Sequence, residues 1–180
     1  MITKQFGDKT IIIRQPKQSD LKQPEKFQRY INDLVTENAM ILICTKKSRK
    51  DETRWLKSIL NETKKRKGVY LIAEHNNKIV GLTSVKMDNE RHSHIGIFGI
   101  SIAKECRGIG LGKFLMKEII NLAKAKLKPQ LKIIRLSAYQ GNKPALGLYQ
   151  KMGFKQVATI PKQVQFDNKL INEIVMLLSI

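Results

Sequence analysis

Apolar positions along the chain alternate between two spacings, and the changes of spacing mark the elements. Thr10-Ile11-Ile12-Ile13-Arg14 is β-branched and reads as a strand that stops before Pro16. Phe27, Tyr30, Ile31 and Leu34 recur at helical spacing and end near Asn38, with Ser19 or Asp20 as the expected cap. A second helix is expected from a cap at Asp51, with Trp55, Leu56, Ile59 and Leu60 on one face. It closes on the basic residues 64–67 and Gly68, as the helix dipole favours. Residues 69–74 and 78–85 form a hairpin turned at Asn76-Asn77, followed by a polar loop over 88–93.

Residues 95–103 are apolar on both faces, as a central strand should be. Leu111, Phe114, Leu115, Ile119, Leu122 and Ala123 then make the buried stripe of a helix over 111–127, which ends before Pro129. Residues 133–139 read as another strand. Asn142 is the expected N-cap of the next helix, with Pro144 in the first turn. Ala145, Leu148, Tyr149 and Met152 share one face of that helix, and Gly153 stops it. Residues 154–160 and 170–178 close the chain as strands, joined by a polar loop carrying Asp167 and Asn168. The expected architecture is one α/β (α+β) domain over 1–180, with a mixed central sheet of about seven strands flanked by four helices.

Composition narrows the class. A length of 180 residues suits one domain with a substantial core, and 42% hydrophobic residues is ordinary for a globular protein. No apolar run approaches the roughly 18 residues of a membrane span, and no signal-peptide pattern opens the chain. A cytoplasmic protein is therefore expected, with Cys44 and Cys106 as two free buried thiols. The net charge of +19 attracts polyanions, either nucleic acid or a phosphorylated cofactor. The lysines are spread along the chain with little aromatic interleaving, so nucleic acid is not the expected partner.

The candidate chemistry begins at Arg107-Gly108-Ile109-Gly110-Leu111-Gly112, between the central strand and the helix over 111–127. A glycine turn at a helix start offers free N–H groups and the positive end of a dipole to a phosphate. Phe114 follows Gly112-Lys113 where a P-loop needs Ser or Thr two residues after its glycine. The third glycine falls one residue early for the dinucleotide fingerprint, and the acidic residue that motif needs is missing. The turn resembles the acetyl-coenzyme A site of the GNAT superfamily of N-acetyltransferases, whose pattern Arg/Gln-x-x-Gly-x-Gly/Ala matches Arg107, Gly110 and Gly112. A second block, from Asn142 through Ala145 and Tyr149 to Gly153-Phe154, also resembles the family in residues and spacing.

The resemblance implies an acetyl-coenzyme A-dependent N-acetyltransferase acting on a primary amine. The nearest members are ribosomal-protein and peptide N-terminal acetyltransferases, so a protein or peptide amine is the expected acceptor. A polyamine or aminoglycoside is the other kind, and a homodimer is compatible. The pyrophosphate would sit on Gly108, Ile109, Gly110, Leu111, Gly112 and Lys113, with Arg107 adding charge. The pantetheine arm would run along the backbone of Ile100, Ser101 and Ile102, with Asn142 and Ala145 beside it.

Tyr149 stands where the family often places the acid that protonates the departing thiolate; otherwise it is a core tyrosine. The amine, with an ordinary pKa of about 10.4, must lose a proton before attack. Many relatives carry a glutamate for this in the central strand, where this chain has Ile97. The base is then a water chain or one of His94, His92, Glu74 and Glu37, with His94 as a proton relay. His92-x-His94 has no third ligand, so no metal is expected. Residues 30–43 and 161–170 are expected to line the acceptor site. The rival reading is a non-catalytic module, either an acyl-coenzyme A sensor or a basic nucleic-acid-binding protein.

Overall fold

The computed structural model describes residues 1–180, organised on one eight-stranded sheet. The strands are β1 (Ile2–Phe6), β2 (Lys9–Arg14), β3 (Gly68–His75), β4 (Lys78–Met87), β5 (Ile95–Ile102), β6 (Ile133–Tyr139), β7 (Lys155–Phe166) and β8 (Lys169–Ser179). Their order across the sheet is β1-β2-β3-β4-β5-β6-β8-β7. Every pairing is antiparallel except β5 with β6. The helices are α1 (Pro24–Thr36), α2 (Arg49–Lys64), α3 (Leu111–Leu127) and α4 (Lys143–Lys151).

Alternation in β3 shows how the two faces are divided. Val69, Leu71 and Ala73 join a core with Leu115, Met116 and Ile119 of α3. Tyr70 and Ile72 point the other way and pack with Phe27, Leu34, Leu56 and Ile59 of α1 and α2. A period of two puts successive side chains on opposite faces, so a strand with no polar interruption must be covered on both. No helix is long and apolar enough to cross a membrane.

The mixed sheet flanked by four helices is as expected, with one strand more than the sequence revealed, and four other expectations change. The sheet has an eighth strand: β1 pairs with β2 from Ile2↔Ile13 to Phe6↔Lys9. It is an edge strand with only Phe6 buried, so it carries no alternating apolar signal. Ser19 and Asp20 do not cap α1, whose N-cap is Gln23. They lie in a short 3₁₀ turn, where buried Asp20 accepts from Arg14 Nη1 and Nη2 at 2.9 and 2.8 Å. Ser48, not Asp51, caps α2; Asp51 is the third helical residue and returns the bond to the Ser48 N–H at 2.9 Å, closing a capping box. The segment 161–170 is strand rather than loop, with β7 and β8 meeting in a tight turn at Asp167-Asn168. Cys106 is buried, but Cys44 is exposed between α1 and α2.

Candidate active site

The glycine turn is built as its sequence demands. Gly108 and Gly110 take φ of +77° and +87°, the left-handed region that only glycine enters freely. A Cβ at either would meet nothing within 4 Å, so the turn faces open space. Gly110 is the N-cap of α3 and supplies no side-chain cap; the first helical bond runs from Phe114 N–H to Gly110 C=O. The N–H groups of Leu111, Gly112 and Lys113 are thus left as donors for an anion. The cap is a backbone nest, which suits a pyrophosphate.

The strand leading to the turn has an open edge. β5 and β6 pair at Ile95↔Ile133, Gly96↔Ile134 and Ile97↔Arg135, and then separate. From Phe98 to Ile102, β5 is paired only with β4, and from Leu136 to Tyr139, β6 is paired only with β8. The register turns the backbone groups of Ser101 to β4, so on the gap side the N–H and C=O of Ile100 and the N–H of Ile102 are left without strand partners, and an extended amide-bearing arm can complete the ladder. These features fit coenzyme A at both of its recognition elements, pyrophosphate and pantetheine.

A cavity of about 430 Å³ fills the gap and continues between the sheet and α2. Gly99, Ile100 and Ser101 line one wall, and Ser137, Ala138 and Tyr139 the other. The segment joining α1 to α2 closes it through Met40, Ile41, Leu42 and Ile43. That segment is held at both ends: Tyr139 Oη donates to Ile41 C=O at 2.8 Å, while Asn32 binds Lys47 N–H and C=O at 2.7 and 3.0 Å.

Tyr149 lines the cavity from α4 and is 8% exposed. Its ring packs edge-on to Phe98 at 6.0 Å between centroids, and its hydroxyl has no partner in the chain. Burial pushes its pKa up to about 12, so it is a phenol across the physiological range. Asn142 also lines the cavity, and its Oδ1 accepts from the Ala145 N–H at 3.3 Å, so it caps α4 and keeps its amide nitrogen free. Ser101 Oγ bonds Tyr30 Oη at 2.9 Å, locking α1 onto β5.

The structure does not bring the candidate bases to this cavity. Arg14 Nε and Nη2 hold Glu74 at 2.9 and 2.8 Å on the β2–β3 side. Glu37 pairs with Arg107, whose Nε also donates to Ile102 C=O at 2.9 Å. Arg107 therefore turns back on the strand end instead of reaching over the turn. His94 precedes β5 at its closed end, where its carbonyl accepts from Lys132 and Ile133; like His92, it is absent from the cavity wall. Of the expected acceptor segments, Ile31 and residues 40–43 line the cavity, and 161–170 do not.

Two carboxylates escaped the sequence reading: Glu52 of α2 and Glu173 of β8 both line the cavity. Glu52 lies three residues before Trp55, four before Leu56 and seven before Ile59, on the apolar stripe itself. An acid on an apolar stripe was the available signal.

The model of the acetyltransferase (GNAT) family matches residues 31–154, and the chain belongs to that family. A candidate phosphinothricin acetyltransferase of Bacillus subtilis (strain 168) is 36% identical over 72 residues, 39% of this chain. The match spans 41% of that relative's own length. The ribosomal-protein-alanine N-acetyltransferase of Brucella melitensis superposes with a TM-score of 0.79 at 23% identity, over 94% of this chain and 99% of that one. A candidate acetyltransferase of Salmonella typhimurium, solved with its cofactor acetyl-CoA, gives 0.78 at 16% identity over 94% and 93%.

Proposed function

We propose that the chain moves an acetyl group from acetyl-coenzyme A directly to a primary amine on a protein or peptide, with acetyl-coenzyme A as cosubstrate. The observation that carries this is the unpaired edge of β5 running into an uncapped glycine turn, with one tyrosine hydroxyl free beside the gap. Leu111, Gly112 and Lys113 offer their N–H groups to the pyrophosphate, with Gly108, Ile109 and Gly110 shaping the turn. The pantetheine arm lies along Ile100, Ser101 and Ile102, beside Asn142 and Ala145. The acetyl carbonyl then points into the cavity, where a backbone N–H of β5 stabilises the developing oxyanion. As the carbon–sulfur bond breaks, Tyr149 passes its proton to the thiolate.

The arrangement favours an enzyme over a sensor, because a partnerless hydroxyl at the gap serves turnover and not binding alone. Family membership supports the acetyl transfer, and the protein or peptide acceptor and a cytoplasmic location are part of the same reading.

Two variants test it. Tyr149→Phe removes only the proton donor, and thiol release from acetyl-coenzyme A in the presence of an amine should fall by about 10²-fold, with coenzyme A affinity unchanged. Turnover near the wild-type rate would make Tyr149 a packing residue. Gly110→Asp sets a negative charge at the anion site. A ligand at about 100 times its Kd adds roughly 2.7 kcal/mol of stability, and this variant should lose that coenzyme A-dependent rise in melting temperature.

A further inference from the structure

Glu52 is 7% exposed, lines the cavity, and makes no side-chain hydrogen bond or ion pair anywhere in the chain. Burying a carboxylate without a partner is costly, and native structures rarely tolerate it without a reason. The cation that acts on it, Lys47, turns its ammonium to Thr45 Oγ1 at 3.3 Å. Asp51, its neighbour on α2, is engaged by Ser48 and Arg54 and adds only repulsion. From the elements around the cavity, the other ionisable groups lining it are Tyr70 of β3, Tyr139 of β6, Tyr149 of α4 and Glu173 of β8. No lysine, arginine or histidine lines the cavity. In a chain of net charge +19, this interior is negative and otherwise largely apolar.

Resting on the transferase reading above, we propose that Glu52 receives the acceptor's ammonium and takes its proton. The acceptor is then a cationic amine on an uncharged apolar body, such as the N-terminus of a peptide beginning with Leu or Phe. Amino acids carrying a free carboxylate or phosphinate meet two carboxylates and no cation, so they are rejected.

The proton balance closes. Glu52 takes one proton from R–NH₃⁺, leaving R–NH₂. The nitrogen attacks the thioester carbon, the carbon–nitrogen bond forms, and the carbon–sulfur bond breaks. The thiolate takes its proton from Tyr149, which regains one from the acylated nitrogen, and Glu52 releases its proton to solvent. The net products are the amide, the thiol and one H⁺.

Burial and the Asp51 charge raise the Glu52 pKa to about 7. A base there is about half charged at neutral pH and strong enough to accept a proton.

The test uses the full chain, purified as wild type, E52Q and E173Q. Thiol release is measured against pH with Phe- and Glu-initiated peptides and with phosphinothricin. Binding of the Phe-initiated peptide to the coenzyme A complex is measured by calorimetry. For wild type, kcat/KM should rise through a pKa near 7 and favour the Phe-initiated peptide at least about 10-fold over the other two. E52Q should lose that limb and fall about 10²-fold in rate, bind the peptide about 10-fold more weakly, and keep its melting-temperature rise with coenzyme A. E173Q should keep the limb. Unchanged peptide affinity in E52Q, loss of the limb in E173Q alone, or equal use of phosphinothricin would overturn the proposal. If wild type released no thiol while peptide binding still depended on Glu52, the acceptor class would stand and the transferase reading would fall.

Discussion

The two faces of the sheet do opposite things with the same kinds of side chain. On the α3 face, Leu111, Leu115, Met116, Ile119 and Ala123 are fully buried against residues from seven strands. On the α1–α2 face, the nine buried residues involve only β3 and the start of β4 from the sheet, and the cavity opens beside them. The closed face fixes the position of the glycine turn, because α3 starts at that turn and cannot shift without disturbing the whole core. The open face leaves apolar surface uncovered for a ligand to bury.

The largest expected effect sharpens this difference. Leu115→Ala, at 0% exposure, should cost about 3–5 kcal/mol in urea unfolding. Ile59→Ala, equally apolar and 2% exposed but lining the cavity, should cost about 2 kcal/mol, since space already lies beside it. Equal costs would mean that the two faces are packed alike.

A smaller effect probes the join between strands. A Cβ at Gly96 would lie 2.5 Å from Val85 Cγ1 and 2.8 Å from Leu131 Cδ1, just where β5 still pairs with β6. Gly96→Ala should destabilise by about 1–3 kcal/mol through overpacking. A neutral result would show that the closed end of β5 yields more easily than the tight contacts imply.

The smallest effect belongs to the open face and has a definite sign. The raised pKa of Glu52 means the fold prefers its neutral form. That preference contributes fully below about pH 4.5 and is lost as pH rises through about 7. A glutamine in its place would resemble the neutral acid, so E52Q should match wild type near pH 4 and melt a few degrees higher near pH 8. A lower melting temperature for E52Q near pH 8 would mean the carboxylate is held by a cation instead.

The closed face was almost entirely legible in the sequence. The stripe of α3, the double-sided strand β5 and the glycine turn each depend on local chemistry, so spacing alone reveals them. β1 was hidden because an edge strand needs no apolar alternation. The cavity was hidden because it is assembled from segments far apart in sequence. Glu52 and Glu173 are separated by most of the chain and come to one cavity only in the finished fold. Glu37 and Glu74 looked free in the sequence because their arginine partners are also far away along the chain.

The open edge of β5 has an evolutionary consequence. On the proposed reading, the cofactor is held largely by amide N–H groups of Ile100, Ile102 and residues 111–113. These belong to the main chain, and no ordinary substitution except proline deletes them. Changes at Ile100 or Ser101 would alter packing while leaving the donors in place. The acceptor cavity has no such insurance, since Glu52, Trp55 and Met40 contribute side chains that a single codon change replaces. One half of the site is therefore buffered against mutational drift and the other half is exposed to it. A lineage can change what it acetylates without relearning how to hold the acetyl donor.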